Sequence, residues 1–174
     1  QALKINPKSI ETLTNVGNVF NQLGQYREAI QKFKIVNKIN PNYLASYWLS
    51  LNTFPIIYKN TREIDYYRDR FLKNINNINQ LIDKKFNYTK ENILSALQTS
   101  TNFYLNYQGR NDLNLQTKYA QLIERLTKKI YPSFHKKRKR KISNNYLKIG
   151  FISSYFKNHS VSKGLKNWII KLDK

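Results

Sequence analysis

Residues 5–41 read INPKSIETLTNVGNVFNQLGQYREAIQKFKIVNKINP, and the tripeptide Ile5-Asn6-Pro7 that opens the stretch returns at its end as Ile39-Asn40-Pro41. Pro7 and Pro41 lie 34 residues apart. Between them the apolar positions follow helical spacing. Leu13, Val16, Gly17 and Phe20 share one face of a first helix, and Ala29 and Phe33 share one face of a second. Gly24 falls where the chain must reverse, a position that favours a residue without a Cβ. Small Gly17 and Ala29 let the two helices approach, and Phe20 and Phe33 fill the space between them.

A helix–turn–helix unit of this period is the signature of a tetratricopeptide repeat. One full repeat is expected over residues 10–43. Ala2 to Pro7 reads as the end of a preceding second helix, and Leu44 to Phe54 as a further first helix that Pro55 stops. Such units bury their faces by stacking, so further repeats are expected upstream of Gln1. The chain contains no Met, which fits the same expectation of a piece of a longer protein.

Beyond Pro55 the 34-residue rhythm is lost but helical spacing persists. Asn60 with Glu63 forms a capping pair. Ile64, Tyr67, Phe71, Leu72, Ile75, Ile78 and Ile82 then predict a helix over residues 61–83. Thr89 caps a shorter helix carrying Ile93, Leu94 and Leu97. Asn111 caps a third carrying Leu115, Tyr119, Leu122, Leu126 and Ile130, ended by Pro132. The aromatic run Asn102 to Gly109 could stack on bases or a sugar; the favoured reading is core packing between helices, because aromatic side chains dominate cores.

Of 174 residues, 31 are Lys or Arg and 10 are Asp or Glu, a net charge of +21. Residues 1–124 carry 16 basic and 9 acidic side chains, and residues 125–174 carry 15 basic and one acidic. The run Lys136–Lys141 supplies six of those charges. Residues 133–145 read as a solvated interdomain linker held open by like charge. Nucleic acid is not the expected partner, since the basic residues do not interleave with aromatics as a stacking platform requires. With no Cys there is neither a disulfide framework nor a Cys-ligated zinc site. No apolar run approaches a membrane span.

At residue 146 the period changes. Tyr146 to Ile152 reads as an apolar strand, Ser153 to Ser160 as a polar loop, and Val161, Leu165, Trp168, Ile169 and Leu172 as one face of a helix. Strand, loop and helix open a Rossmann-like α/β domain. Ligands of such sheets sit at the carboxyl ends of strands, where this loop falls, beside free N–H groups at a helix start. His159 is the loop residue suited to proton transfer. No G-x-G-x-x-G, paired carboxylates, metal cluster or Ser/His/Asp grouping accompanies it. One strand and one helix cannot stand as a domain, so this region too reads as cut short.

The order of these parts resembles a known family. Repeats are followed by Phe54-Pro55-Ile56-Ile57-Tyr58, by Tyr66-Tyr67-Arg68-Asp69-Arg70-Phe71, by Thr101 to Gly109, and by Leu147-Lys148-Ile149-Gly150-Phe151-Ile152-Ser153-Ser154-Tyr155-Phe156-Lys157-Asn158-His159-Ser160-Val161. Together they are similar to the SPINDLY-like, O-linked N-acetylglucosamine transferases (glycosyltransferase family 41). The segment from Lys148 to Val161 is the most specific part of the likeness.

The resemblance implies a mostly α chain. Repeats occupy residues 1–54, a helical joining region 55–132, the basic linker 133–145, and the start of a truncated Rossmann-like (GT-B) half 146–174. It implies transfer of a sugar, N-acetylglucosamine from UDP-GlcNAc or fucose from GDP-fucose, to Ser or Thr of acceptor proteins. No metal or other cofactor is implied. The family's motif histidine matches His159. Ser154, Tyr155, Asn158 and Ser160 are then expected beside the nucleotide sugar, and Asn15 in the acceptor-binding groove of the repeats. The next unit has Leu49 at the position of Asn15, which would end any Asn ladder there. The implied partners are acceptor proteins or peptides and a nucleotide sugar, with no membrane. The Lys-, Asn- and Ile-rich composition suggests an AT-rich genome, and the resemblance implies a bacterial, cytoplasmic setting. The competing reading is a non-catalytic repeat scaffold for partner proteins.

Overall fold

A computed structural model describes residues 2–84, 88–136 and 149–171 of the chain. The chain divides into two units, residues 1–136 and 137–174. The described residues are mostly helical, and no strand occurs among them.

The first unit begins with α1 (Ala2–Ile5), α2 (Ile10–Gln22) and α3 (Tyr26–Ile39). The repeated Ile-Asn-Pro is also a repeated geometry. Asn6 Oδ1 accepts from the Lys8 N–H at 3.2 Å, and Asn40 Oδ1 accepts from the Asn42 N–H at 2.9 Å. In the first turn the Ser9 N–H donates to the Asn6 carbonyl, and in the second the Tyr43 N–H donates to that of Asn40. Each Asn side chain thus mimics a backbone turn, and proline follows where a helix cannot continue. Ser9 then caps α2, its Oγ accepting from the Thr12 N–H. Gly24 takes φ +74°, a left-handed conformation in which a Cβ is penalised.

The pair α2 and α3 meets as the spacing predicts. Ala29 and Phe33 are fully buried, with Leu49 and the half-buried Phe20 against them. Next, α4 (Leu44–Asn52) buries eight of its residues, five apolar together with Ser46, Ser50 and Asn52. A helix buried on nearly every side belongs in the middle of a core. It packs against α3, α5 (Thr61–Asp83) and α6 (Lys90–Thr99). Asn60 and Thr89 cap α5 and α6 as expected, Thr89 in a reciprocal capping box with Asn92. The Asn60 Oδ1 accepts from the Glu63 N–H, while Glu63 reaches back to the Lys59 N–H rather than to Asn60.

A 3₁₀ segment (Phe103–Gln108) leads to α7 (Leu113–Ile130), which packs on α5 and α6. Asn111 Oδ1 accepts from the Leu113 N–H at 2.9 Å. Pro132 does more than stop α7: it opens a 3₁₀ turn (Pro132–His135) that folds back on that helix, His135 Nε2 lying 3.2 Å from Thr127 Oγ1. One continuous apolar core runs through the unit, from Ile30 past Trp48, Phe54, Tyr67, Phe71 and Leu105 to Leu126.

Two expectations need correction. The aromatic run is not core. Leu105 and Gln108 point inward, whereas Phe103, Tyr104 and Tyr107 are exposed and touch one another at centroid distances of 5.3–6.4 Å. With three residues per turn, positions 105 and 108 eclipse; that single inward row is taken by one Leu and one Gln, and the rings are left outside. The strand predicted over residues 146–152 is not seen. Residues 149–152 carry no regular structure, and residues 146–148 lie outside the described residues. A strand is held by its neighbour's ladder, and no second strand exists among the described residues. Of the expected linker, residues 137–145 lie outside the described residues.

In the second unit, α8 (Ser160–Ile170) forms where helical spacing places it. Its apolar side chains Leu165 and Trp168 are exposed.

Candidate functional site

The loop before α8 holds itself together through its own polar groups. Ser153 Oγ accepts from the Tyr155 N–H at 3.0 Å, and the Lys157 N–H donates to the Tyr155 carbonyl at 2.7 Å. His159 stands in the N-cap position of α8, with extended backbone. Its Nδ1 accepts from the Val161 N–H at 3.2 Å. Its carbonyl accepts the first intrahelical bond, from the Lys163 N–H at 3.0 Å. The Tyr155 ring stacks on the imidazole with centroids 4.4 Å apart and planes inclined by 29°. The imidazole is therefore held at one edge by the helix and on one face by an aromatic ring.

Of the residues predicted to meet a nucleotide sugar, Tyr155 and His159 are brought into contact. Ser154 and Asn158 are exposed in the same loop, and Ser160 is the exposed first residue of α8. Beside the loop, Phe151, Ile152, Phe156, Val161, Leu165 and Trp168 line an apolar cleft of about 240 Å³. Residues 149–171 include Lys157, Lys163, Lys166 and Lys171 and no carboxylate. Among the described residues no group of three or more His, Asp or Glu could hold a metal ion.

Asn15 belongs to the first unit. It is exposed on α2 and lines an open depression with Glu11, Thr12, Val16, Val19 and Phe20. Leu49, at the corresponding place in α4, is buried against Ala29 and Phe33.

Sequence reading missed two arginines on α5. The Arg70 guanidinium is buried and donates to the Ser50 and Thr53 carbonyls at the end of α4. The Thr53 hydroxyl takes the Leu49 carbonyl at 2.8 Å. These are carbonyls that a helix end leaves without partners, and a cation there also complements the helix dipole. The guanidinium lies 5.2 Å from the Tyr67 ring centroid and 5.7 Å from that of Phe54. Burial lowers its pKa to about 10, against the opposing pull of the Tyr67 phenol. The available signal is position: Arg70 falls one turn after Tyr67 and beside Phe71 on the apolar stripe.

Arg68 joins α5 to the segment before α7. It donates to Gln108 Oε1 at 3.0 Å, to Asp112 Oδ1 at 2.5 Å and to the Asn111 carbonyl at 2.7 Å. Gln108 in turn donates to the Tyr58 hydroxyl at 2.6 Å.

The first unit is thus an α-helical array opened by a helix–turn–helix repeat, and the second a capped helix carrying a preformed histidine loop. No protein-family model, curated protein or solved structure matches the chain. No helix among the described residues is long and apolar enough to cross a membrane.

Proposed function

We propose that the chain is part of a protein O-glycosyltransferase. In this reading the helical repeats receive an acceptor protein and the loop 153–160 faces the sugar nucleotide at the start of a Rossmann-like half. Transfer from UDP-GlcNAc to a Ser or Thr hydroxyl is the reaction the resemblance implies. The observation that carries the reading is the loop ahead of α8. The histidine matching the family's motif is held by a helix N-terminus and by Tyr155, in a described segment, residues 149–171, that contains four lysines and no carboxylate. Free N–H groups and lysines favour an anionic ligand. Asn15, exposed on α2, stands on the repeat side of the same reading.

The test is calorimetric titration of UDP into the protein that carries this chain, followed by transfer of labelled sugar from UDP-GlcNAc to acceptor proteins. Micromolar binding with transfer supports the proposal. No heat at millimolar UDP, with GDP equally silent, removes it.

A second reading, a non-catalytic docking scaffold, is favoured by one feature, the exposed ring cluster Phe103, Tyr104 and Tyr107. A nucleotide-silent protein that captures a partner through those rings would support it.

A further inference from the structure

Three helices of the first unit turn polar side chains toward one place. Lys34 and Asn37 on α3, Tyr47 and Ser50 on α4, and Asn74 and Asn77 on α5 line a cavity of about 70 Å³. On each helix the two residues are three apart and so share a face. The lining is rich in donors. Lys34 has N–H groups and no acceptor, and no carboxylate lines the cavity. The Asn37 Oδ1 is already taken by the Ser46 hydroxyl, which leaves its amide nitrogen to donate. The Asn74 Nδ2 is buried and has no hydrogen-bond partner among the described residues.

A buried charge stands beside this cavity. Ser50, only 4% exposed, lines it, and the Ser50 carbonyl accepts from Arg70, itself only 8% exposed. Asn74 follows Arg70 by one turn of α5. The groups that receive the Arg70 N–H bonds are carbonyls, not carboxylates, and its Nε has no partner among the described residues. Buried cations are normally paired with an anion.

We propose that the cavity between α3, α4 and α5 binds a single carboxylate group. Its two oxygens suit amide and hydroxyl donors arriving from three helices, with the Lys34 ammonium as the charge partner. The volume is far below the roughly 300 Å³ at which sites for larger organic ligands begin, so one small group enters, not a nucleotide. The carboxylate belongs to a free small acid or to a Glu side chain of a bound protein. The site stands on the first unit alone and does not depend on the transferase reading.

The experiment is proton–nitrogen NMR of the ¹⁵N-labelled chain titrated with sodium acetate, against sodium chloride at equal ionic strength. The side-chain amide signals of Asn74 and Asn77 and the Nε–H signal of Arg70 should move together and saturate with acetate, and stay in place with chloride. Lys34→Gln and Asn77→Ala change exposed residues, so both variants should fold. Each should weaken acetate binding about tenfold, the worth of one charge-assisted hydrogen bond. Equal shifts with chloride, shifts that never saturate, or unchanged affinity in both variants would overturn the proposal. The α-amide of N-acetylglutamic acid, which presents only a side-chain carboxylate, then separates the two sources. Tighter binding than acetate assigns the site to a protein side chain, and weaker binding assigns it to a free small acid.

Discussion

Gly17 and Phe33 meet so closely that no side chain fits between them. A Cβ built on Gly17 would lie 2.5 Å from Phe33 Cε1 and 3.0 Å from two other ring atoms. Phe33 is itself fully buried, with little room to retreat. Gly17→Ala should therefore destabilise the protein although alanine is the better helix former. Overpacking costs about 1–3 kcal/mol, and helix propensity returns about 1 kcal/mol. A net loss of up to about 2 kcal/mol is expected in urea unfolding. Phe33→Leu in the Gly17→Ala background should recover part of it, because the clash is with the ring; additive losses would contradict that.

The ion pair between Arg68 and Asp112 should behave differently from those on the surface. Its side chains are only 14% and 16% exposed, against 40% and 63% for Arg125 and Asp83. Exposed pairs contribute little. Arg68→Ala strips partners from Gln108, Asp112 and the Asn111 carbonyl together, and a loss of about 2 kcal/mol is expected. Arg125→Ala should cost under about 1 kcal/mol. Hydrogen exchange should accelerate across residues 102–112 in Arg68→Ala and not in Arg125→Ala.

Leu105 and its aromatic neighbours give opposite expectations from one short segment. Leu105 is fully buried, so Leu105→Ala should cost about 2–5 kcal/mol. Phe103→Ala and Tyr107→Ala, at 55% and 68% exposure, should each fall within about 0.5 kcal/mol of the parent. A large loss from Phe103→Ala in thermal unfolding would mean that the rings are core after all.

Alkaline pH should unfold the first unit. Burial raises the phenol pKa of Tyr47, Tyr58, Tyr67 and Tyr119, and pushes that of Tyr88 up to about 12. Between the ordinary tyrosine value of about 10 and these raised values the unfolded chain binds fewer protons than the folded one, so stability falls as pH rises. Arg70 has the opposite sign: its folded pKa is lowered, the unfolded chain holds its proton longer, and stability gains above about pH 10. Several tyrosines outweigh one arginine. Tyrosinate absorbance should rise together with loss of helical circular dichroism, and Tyr88→Phe should move that transition to higher pH.

Much of the helical architecture is legible in residue spacing. The helix at residues 61–83 begins and ends where Asn60 and the Ile periodicity place it, because its cap is local and its stripe long. The helix–turn–helix pair is legible for the same reason. Arg70 escapes because its partners, the Ser50 and Thr53 carbonyls, lie 20 and 17 residues away in the chain. Periodicity marks its face as buried but says nothing of what a charge would meet there. The aromatic run escapes because hydrophobicity alone does not say which period a six-residue segment adopts. In the candidate site, position singles out His159 and the loop around it, but the Val161 bond and the Tyr155 stack depend on backbone angles that no residue spacing specifies.

The capped helix starts at Ser9, Asn60 and Thr89 and the Ile-Asn-Pro turns arise from interactions within four residues. Which residues those helices shelter is decided by neighbours from elsewhere in the chain. Trp48 and Asn52 both donate to the Ser100 carbonyl, at 3.1 and 3.3 Å. Arg70 finds its carbonyls on another helix, and Leu105, not Phe103, reaches the core. Burial is a property of assembled surfaces, so it follows from packing and not from the order of residues alone.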